Sequence, residues 1–132
     1  MSSSVSWLPD NANIILAVFN DSASPRDFVE QFDTIKAMLD TVNYPVYVCH
    51  DLSRVARVGR IELKEYQRVV RHSVITHPNR AFSYFIGASR SAEVVIDLAK
   101  KVFPATVQRL MLVDTLKDAL QDIHRRSTSG AL

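Results

Sequence analysis

Apolar runs of strand length alternate with amphipathic stretches of helix length along nearly the whole chain, and few folds accommodate that alternation. "VSWL" and "NIILAVFN" flank Pro9, Asp10 and Asn11, so a hairpin is the simplest connection between two strands. In "DSASPRDFVEQFDTIKAMLDTV", Ser24 suits an N-cap and Pro25 the first helical position. Phe28, Phe32, Ile35, Leu39 and Val42 recur every three or four residues, one apolar stripe of an amphipathic helix. "YPVYVCHD" reads as a strand, and "IELKEYQRVVRHSVI" as a helix that turns Leu63, Tyr66, Val70 and Val74 inward until His77, Pro78 and Asn79 stop it. "AFSYFIG" is a strand, "SAEVVIDLAKKVF" a helix capped by Ser89 or Ser91 and halted at Pro104, and "VQRLMLV" the last strand. "TLKDALQDI" closes the series as a helix, with Thr115 as N-cap and Asp118 three residues on. The order β-β-α-β-α-β-α-β-α predicts an α/β fold, a mostly parallel sheet with an N-terminal hairpin and a cover of helices. Its crossovers should be right-handed. Strands paired on both sides need apolar residues on both faces, which suits these runs.

At 132 residues the chain fits a single domain, 1–132, with an ordered core over about 5–125 and a tail over 126–132. An apolar share of 47% is enough for such a core to stand without disulfides or metal. One cysteine allows neither an intrachain disulfide nor a cysteine-based zinc site. The start "MSSSVSWLPDN" lacks the basic and long apolar regions of a signal peptide, and "IILAVF" is too short to span a bilayer. The expectation is a cytoplasmic protein, with peripheral membrane contact left open.

"VYVCHDLS" sets Cys49, His50 and Asp51 side by side, with Ser53 two places on, so nucleophile, base and acid share one short stretch. Strand geometry separates them: successive side chains point to opposite faces, so Cys49 and His50 cannot act on each other. Cys49 then reads as a small buried filler. His50 and Asp51 fall at the carboxyl end of a parallel strand, where open α/β sheets place their ligand sites. One enzymatic reading follows, in which His50, Asp51 and Ser89 converge at neighbouring strand ends. The four histidines show no i, i+4 pair and no zinc-protease motif, so no metal is expected. The three glycines form no phosphate-binding or dinucleotide fingerprint, so no nucleotide cofactor is expected either. "GASRSAEV" takes the chain from a strand into a helix. There Gly87 permits a close backbone approach, and amides near Ser89, assisted by Arg90, suit an anion.

Charge is unevenly spread. Residues 1–50 carry two basic side chains against six acidic, residues 51–80 seven against three, and residues 81–132 seven against five. Arg54, Arg57, Arg60, Lys64, Arg68 and Arg71 recur every three or four positions, either as a solvated helix face or as a surface for an acidic partner, an anionic lipid or a phosphorylated ligand. Nucleic acid is disfavoured, because net charge is only +2 and no aromatic residues interleave the basic ones.

Three stretches resemble the STAS domain, the module of anti-sigma-factor antagonists and sulphate transporters. "VYVCHDLSRVARVGRIEL" is similar to that family's strand ending in Asp-Leu-Ser, "FIGASRSAEVVIDLAKKV" to its strand, Gly and Ser leading into a helix, and "VDTLKDALQDI" to its closing helix. The resemblance implies a non-enzymatic regulatory or protein-interaction module that binds a protein partner, or a small anion or nucleotide. Asp51, Ser53, Arg54, Arg57, Arg60, Ser89 and Arg90 would form the contact surface. The family's phosphorylated segment falls on Gly59-Arg60-Ile61-Glu62, which offers no hydroxyl, so the phosphorylation switch does not carry over. The fold also resembles the larger CRAL-TRIO lipid-binding domains, although a deep lipid cavity would consume much of a core this size. A response-regulator receiver is a poorer match, since Asn20 stands where its second acid would be and "LVDT" lacks its lysine. A homodimer through the edge hairpin is a further expectation.

Overall fold

The computed structural model describes residues 3–20, 24–55, 69, 71–87, 93, 97, 101 and 109–128. Strands β1 (Ser3–Leu8) and β2 (Asn11–Phe19) form the expected antiparallel hairpin, with Leu8 opposite Asn11 across Pro9 and Asp10. Strands β3 (Val46–Asp51), β4 (Arg80–Ile86) and β5 (Leu110–Val113) extend it in parallel, in the order β1-β2-β3-β4-β5. Helices α1 (Pro25–Leu39) and α2 (Leu116–Thr128) complete a mixed α/β fold. The two helices expected over 61–75 and 91–103 fall mostly outside the described residues; the described Val69, Glu93, Asp97 and Lys101 have helical backbone.

Helix α1 begins where its sequence signals place it. Ser24 Oγ accepts the Asp27 N–H at 3.1 Å, and the Asp27 carboxylate accepts the Ser24 N–H at 3.0 Å, a reciprocal capping box. Phe28, Phe32, Ile35 and Leu39 are buried against the sheet, and Gln31 is buried with them. At the far end Asn79 Nδ2 donates to the Leu39 and Val42 carbonyls at 3.1 and 2.9 Å, tying the last residue of the helix and the loop after it to the start of β4.

Strand alternation divides the core. Ile15, Ala17, Phe19, Val46, Val48 and Phe85 face α1, together with Val69 and Val74. Ile14, Tyr47, Cys49, Tyr84 and Ile86 face the other way, under Ala119 and Ile123 of α2. The central strand β3 is therefore buried on both faces, as its near-continuous apolar sequence demands. A polar clamp holds α2 in place. Tyr84 donates its hydroxyl to Asp122 Oδ2 at 2.6 Å, Arg126 Nε donates to the same oxygen at 2.6 Å, and the Arg126 guanidinium lies 3.8 Å over the Phe82 ring.

The helix expected to run to Ile75 does not reach it. From Arg71 to Thr76 the chain goes through turns, with N–H to carbonyl bonds three residues apart at His72, Ile75 and His77. Two histidines anchor this segment. His72 Nδ1 accepts the Val74 N–H at 3.0 Å and its Nε2–H reaches Asp33 at 2.6 Å. His77 Nδ1 accepts the Asn79 N–H at 3.1 Å and its Nε2–H reaches Asp40 at 2.7 Å. The His72 ring captures a backbone donor that the helix would use, and the other nitrogen of each ring ties the segment to α1 or its C-cap.

Candidate functional site

The carboxyl ends of the parallel strands lie along one edge of the sheet, and the Asp51–Arg54 stretch turns there. Asp51 Oδ1 accepts both the Ser53 N–H at 2.9 Å and the Ser53 hydroxyl at 2.6 Å, an aspartate turn that fixes the loop. The Leu52 N–H bonds the Ile86 carbonyl at 2.9 Å, and Leu52 is buried at 4% exposure, so the turn is pinned from below. Gly87 closes the edge of β4. Its N–H bonds the Val113 carbonyl at 2.9 Å, and its φ of +63° lies in the left-handed region. A β-carbon on Gly87 would stand 2.9 Å from Ser53 Cβ and 3.1 Å from Ser53 Cα. The glycine singled out in the sequence thus serves a close approach between the ends of β3 and β4.

Arg54 is exposed and leaves this turn toward β2, with Nη1 3.4 Å from Asn20 Oδ1. Ser53 is exposed as well, and Asp51 is half-buried. The structure places Asp51, Ser53 and Arg54 within this one turn. Arg57, Arg60, Ser89 and Arg90 lie outside the described residues. Asn20 is a neighbour that the sequence does not mark as a site residue, and its only signal there is its place just after an apolar strand.

The catalytic constellation of His50, Asp51 and Ser89 requires correction at His50. His50 is 4% exposed and lies under α1, while Asp51 points to the opposite face of the strand. Its Nδ1–H donates to Gln31 Oε1 at 3.1 Å, and its ring stacks on Phe85 at 4.8 Å and packs against Phe32 at 5.4 Å. Burial, with the Arg80 charge second, pulls the imidazole down to about 3, so it is a neutral core residue at physiological pH. The sequence pattern could not reveal this, because a histidine at a strand end looks the same whether a helix covers it or not. Gln31 Nε2 is buried without a hydrogen-bond partner among the described residues.

Cys49 is fully buried among Tyr47, Tyr84 and Ile86, and burial pushes its thiol up to about 12. It is a packed filler and no nucleophile at neutral pH. Among the described residues no three His, Cys, Asp or Glu side chains gather as a metal site, and no helix is long and apolar enough to cross a membrane. The edge therefore offers a rigid backbone turn, a serine hydroxyl committed to a carboxylate, and an exposed guanidinium. That set suits recognition through charge and hydrogen bonds.

No family model matches the chain, and no curated protein does. Among solved structures the chain is similar to an uncharacterized protein from the DUF3478 family, with a SpoIIAA-like fold, from Shewanella loihica PV-4. The two share 12% sequence identity with a TM-score of 0.56, over 90% of each chain. The fold is therefore SpoIIAA-like.

Proposed function

We propose that this chain is a non-enzymatic, STAS-like regulatory module that docks an acidic protein partner on the carboxyl edge of its sheet. The observation that carries the reading is the Asp51–Arg54 turn. It is locked by the aspartate and by Leu52, packed on Gly87, and followed by an exposed arginine. A fixed loop loses little entropy on binding, so its charges act at full effect. Arg54 opens the most basic part of the chain, and Arg57 and Arg60 continue it at helical spacing. Asp51 and Ser53 hold the loop, the three arginines supply the attraction, and Ser89 and Arg90, which follow β4 in sequence, add a hydroxyl and a charge. A cytoplasmic location belongs to the same reading.

The SpoIIAA-like fold supports an interaction role by analogy. Gly59-Arg60-Ile61-Glu62 at the position of the family's phosphorylated segment means that binding here is set by fixed charge and not by a phosphate switch. Affinity capture from the source cells with the wild-type chain and with the triple variant R54E, R57E and R60E tests this. The wild type should retain a partner that the variant loses while its circular dichroism stays unchanged. A partner held equally by both, or a retained small anion or nucleotide seen by native mass spectrometry in place of a protein, would contradict the reading.

A further inference from the structure

At the opposite, amino edge of the sheet stands a buried charge. Arg80, the first residue of β4, is only 5% exposed. Its Nε and Nη2 donate to the Ile75 carbonyl at 2.9 and 2.7 Å, and its Nη1 donates to the Ser83 hydroxyl at 2.8 Å and the Arg109 carbonyl at 3.2 Å. Every acceptor is neutral, and among the described residues no carboxylate forms an ion pair with this guanidinium. Buried cations are ordinarily paired, because neutral oxygens return only part of the lost hydration.

A second cation stands beside it. Arg109 Nη1 donates to the Arg80 carbonyl at 3.1 Å, so each arginine binds the other's main chain. Burial first, then the Arg109 charge, pull the Arg80 guanidinium down to about 10, which leaves it charged at neutral pH. Arg109 is exposed and sits at φ 62°, a left-handed conformation that a residue with a β-carbon adopts at a cost. The Ser83 N–H at 2.9 Å and Arg80 both hold its carbonyl there. The single bond to Arg80 occupies one of the five N–H donors that an arginine carries, and among the described residues the others are uncommitted. The sequence carries the same bias. Residues 71–80, "RHSVITHPNR", and 102–109, "VFPATVQR", contain three arginines and no acid.

We propose that Arg80 and Arg109 form an oxyanion site at the amino edge of β4 and β5, which takes a small molecule bearing a phosphate or a carboxylate. Arg109 presents the open fork, whose planar donors match either group in a bidentate pair. Arg80 supplies a fixed charge beneath it, and Ser83 orients Arg80. The site is at the other end of the sheet from the docking edge proposed above, and the two stand or fall separately.

Chemical-shift titration of amide and arginine Nε–H resonances tests the site. Inorganic phosphate and acetate are added separately, each against chloride at matched ionic strength, to the wild type, Arg109→Gln, Arg109→Lys and Arg54→Gln. The wild type and Arg54→Gln should show saturable shifts at Ser83, Arg109 and Leu110. Arg109→Gln should bind about tenfold more weakly or worse, and Arg109→Lys should recover part of the loss, since a charged donor is kept without the fork. Saturation by phosphate alone assigns a phosphate-bearing ligand, and saturation by acetate assigns a carboxylate. No saturable shift with either anion, or equal affinity in Arg109→Gln, overturns the proposal.

Discussion

Gly87→Ala is the substitution that most directly probes how the docking edge is built. Two costs add. An alanine held near φ +63° pays about 1–2 kcal/mol for the left-handed conformation. Its β-carbon would also meet Ser53 Cβ at 2.9 Å and the Ser53 backbone at 3.1 Å, so the turn must shift, and overpacking of this kind costs about 1–3 kcal/mol. The shift would strain the Leu52 to Ile86 bond and the Asp51 turn, which share the same few atoms. The sum is about 2–5 kcal/mol, and urea unfolding reads it directly. With a slope of about 2 kcal/mol per molar for a chain this small, the midpoint should fall by about 1–2.5 M. Gly87→Asn, which tolerates the left-handed region better, should relieve the dihedral cost and keep the clash. A loss below about 0.5 kcal/mol in Gly87→Ala would refute the close approach, because neither cost could then be real.

Further outcomes follow from the core. His50 is held near 3 against 6.5 in the unfolded chain, so unfolding takes up a proton between those values. Stability should be complete above about pH 6.5 and decline as pH falls toward 3, with this residue contributing at most about 1.4 kcal/mol per pH unit. Replacing the buried pair together, His50→Leu with Gln31→Leu, should flatten that slope in pH-dependent urea titrations while costing little at neutral pH, since both polar partners leave at once. An unchanged slope would place His50 in solvent. Tyr84→Phe removes the hydroxyl bonded to Asp122 and should cost about 1–2 kcal/mol. Burial works against ionised Asp122, but the bonds from Tyr84, Arg125 and Arg126 outweigh it and hold the carboxyl at about 2, so carbon-detected titration should show it rising in the variant. Asn79→Ala uncaps the Leu39 and Val42 carbonyls and should cost about 1–2 kcal/mol by thermal unfolding, with faster amide exchange at the end of α1.

The fold is legible in the sequence wherever local chemistry and periodicity agree. Ser24 and Pro25 announce the start of α1, and the spacing of its aromatic and aliphatic residues announces its buried face. Alternation along β3 is enough to separate Cys49 from His50, and the two do lie in opposite cores. What stays hidden depends on contacts between distant segments. Gln31 sits on the buried face of α1, although its polarity keeps it out of the apolar stripe, because its partner is 19 residues away in β3. Turns replace the end of the helix expected to reach Ile75, where His72 captures the Val74 N–H and meets Asp33 of α1, and no local signal carries that. Of the site, the Asp51–Arg54 turn is readable from its position after a strand. The pairing of Arg80 with Arg109 is not, since it arises only when β4 and β5 lie side by side.

Hydrogen-exchange footprinting of the captured complex tests the central claim, that the carboxyl edge is the docking surface. Amides over residues 51–60 and 87–90 should gain protection on binding, and those of α2 should stay as in the free chain. Protection confined to α2, or to the outer edge of β1, with residues 51–60 unchanged, would contradict it.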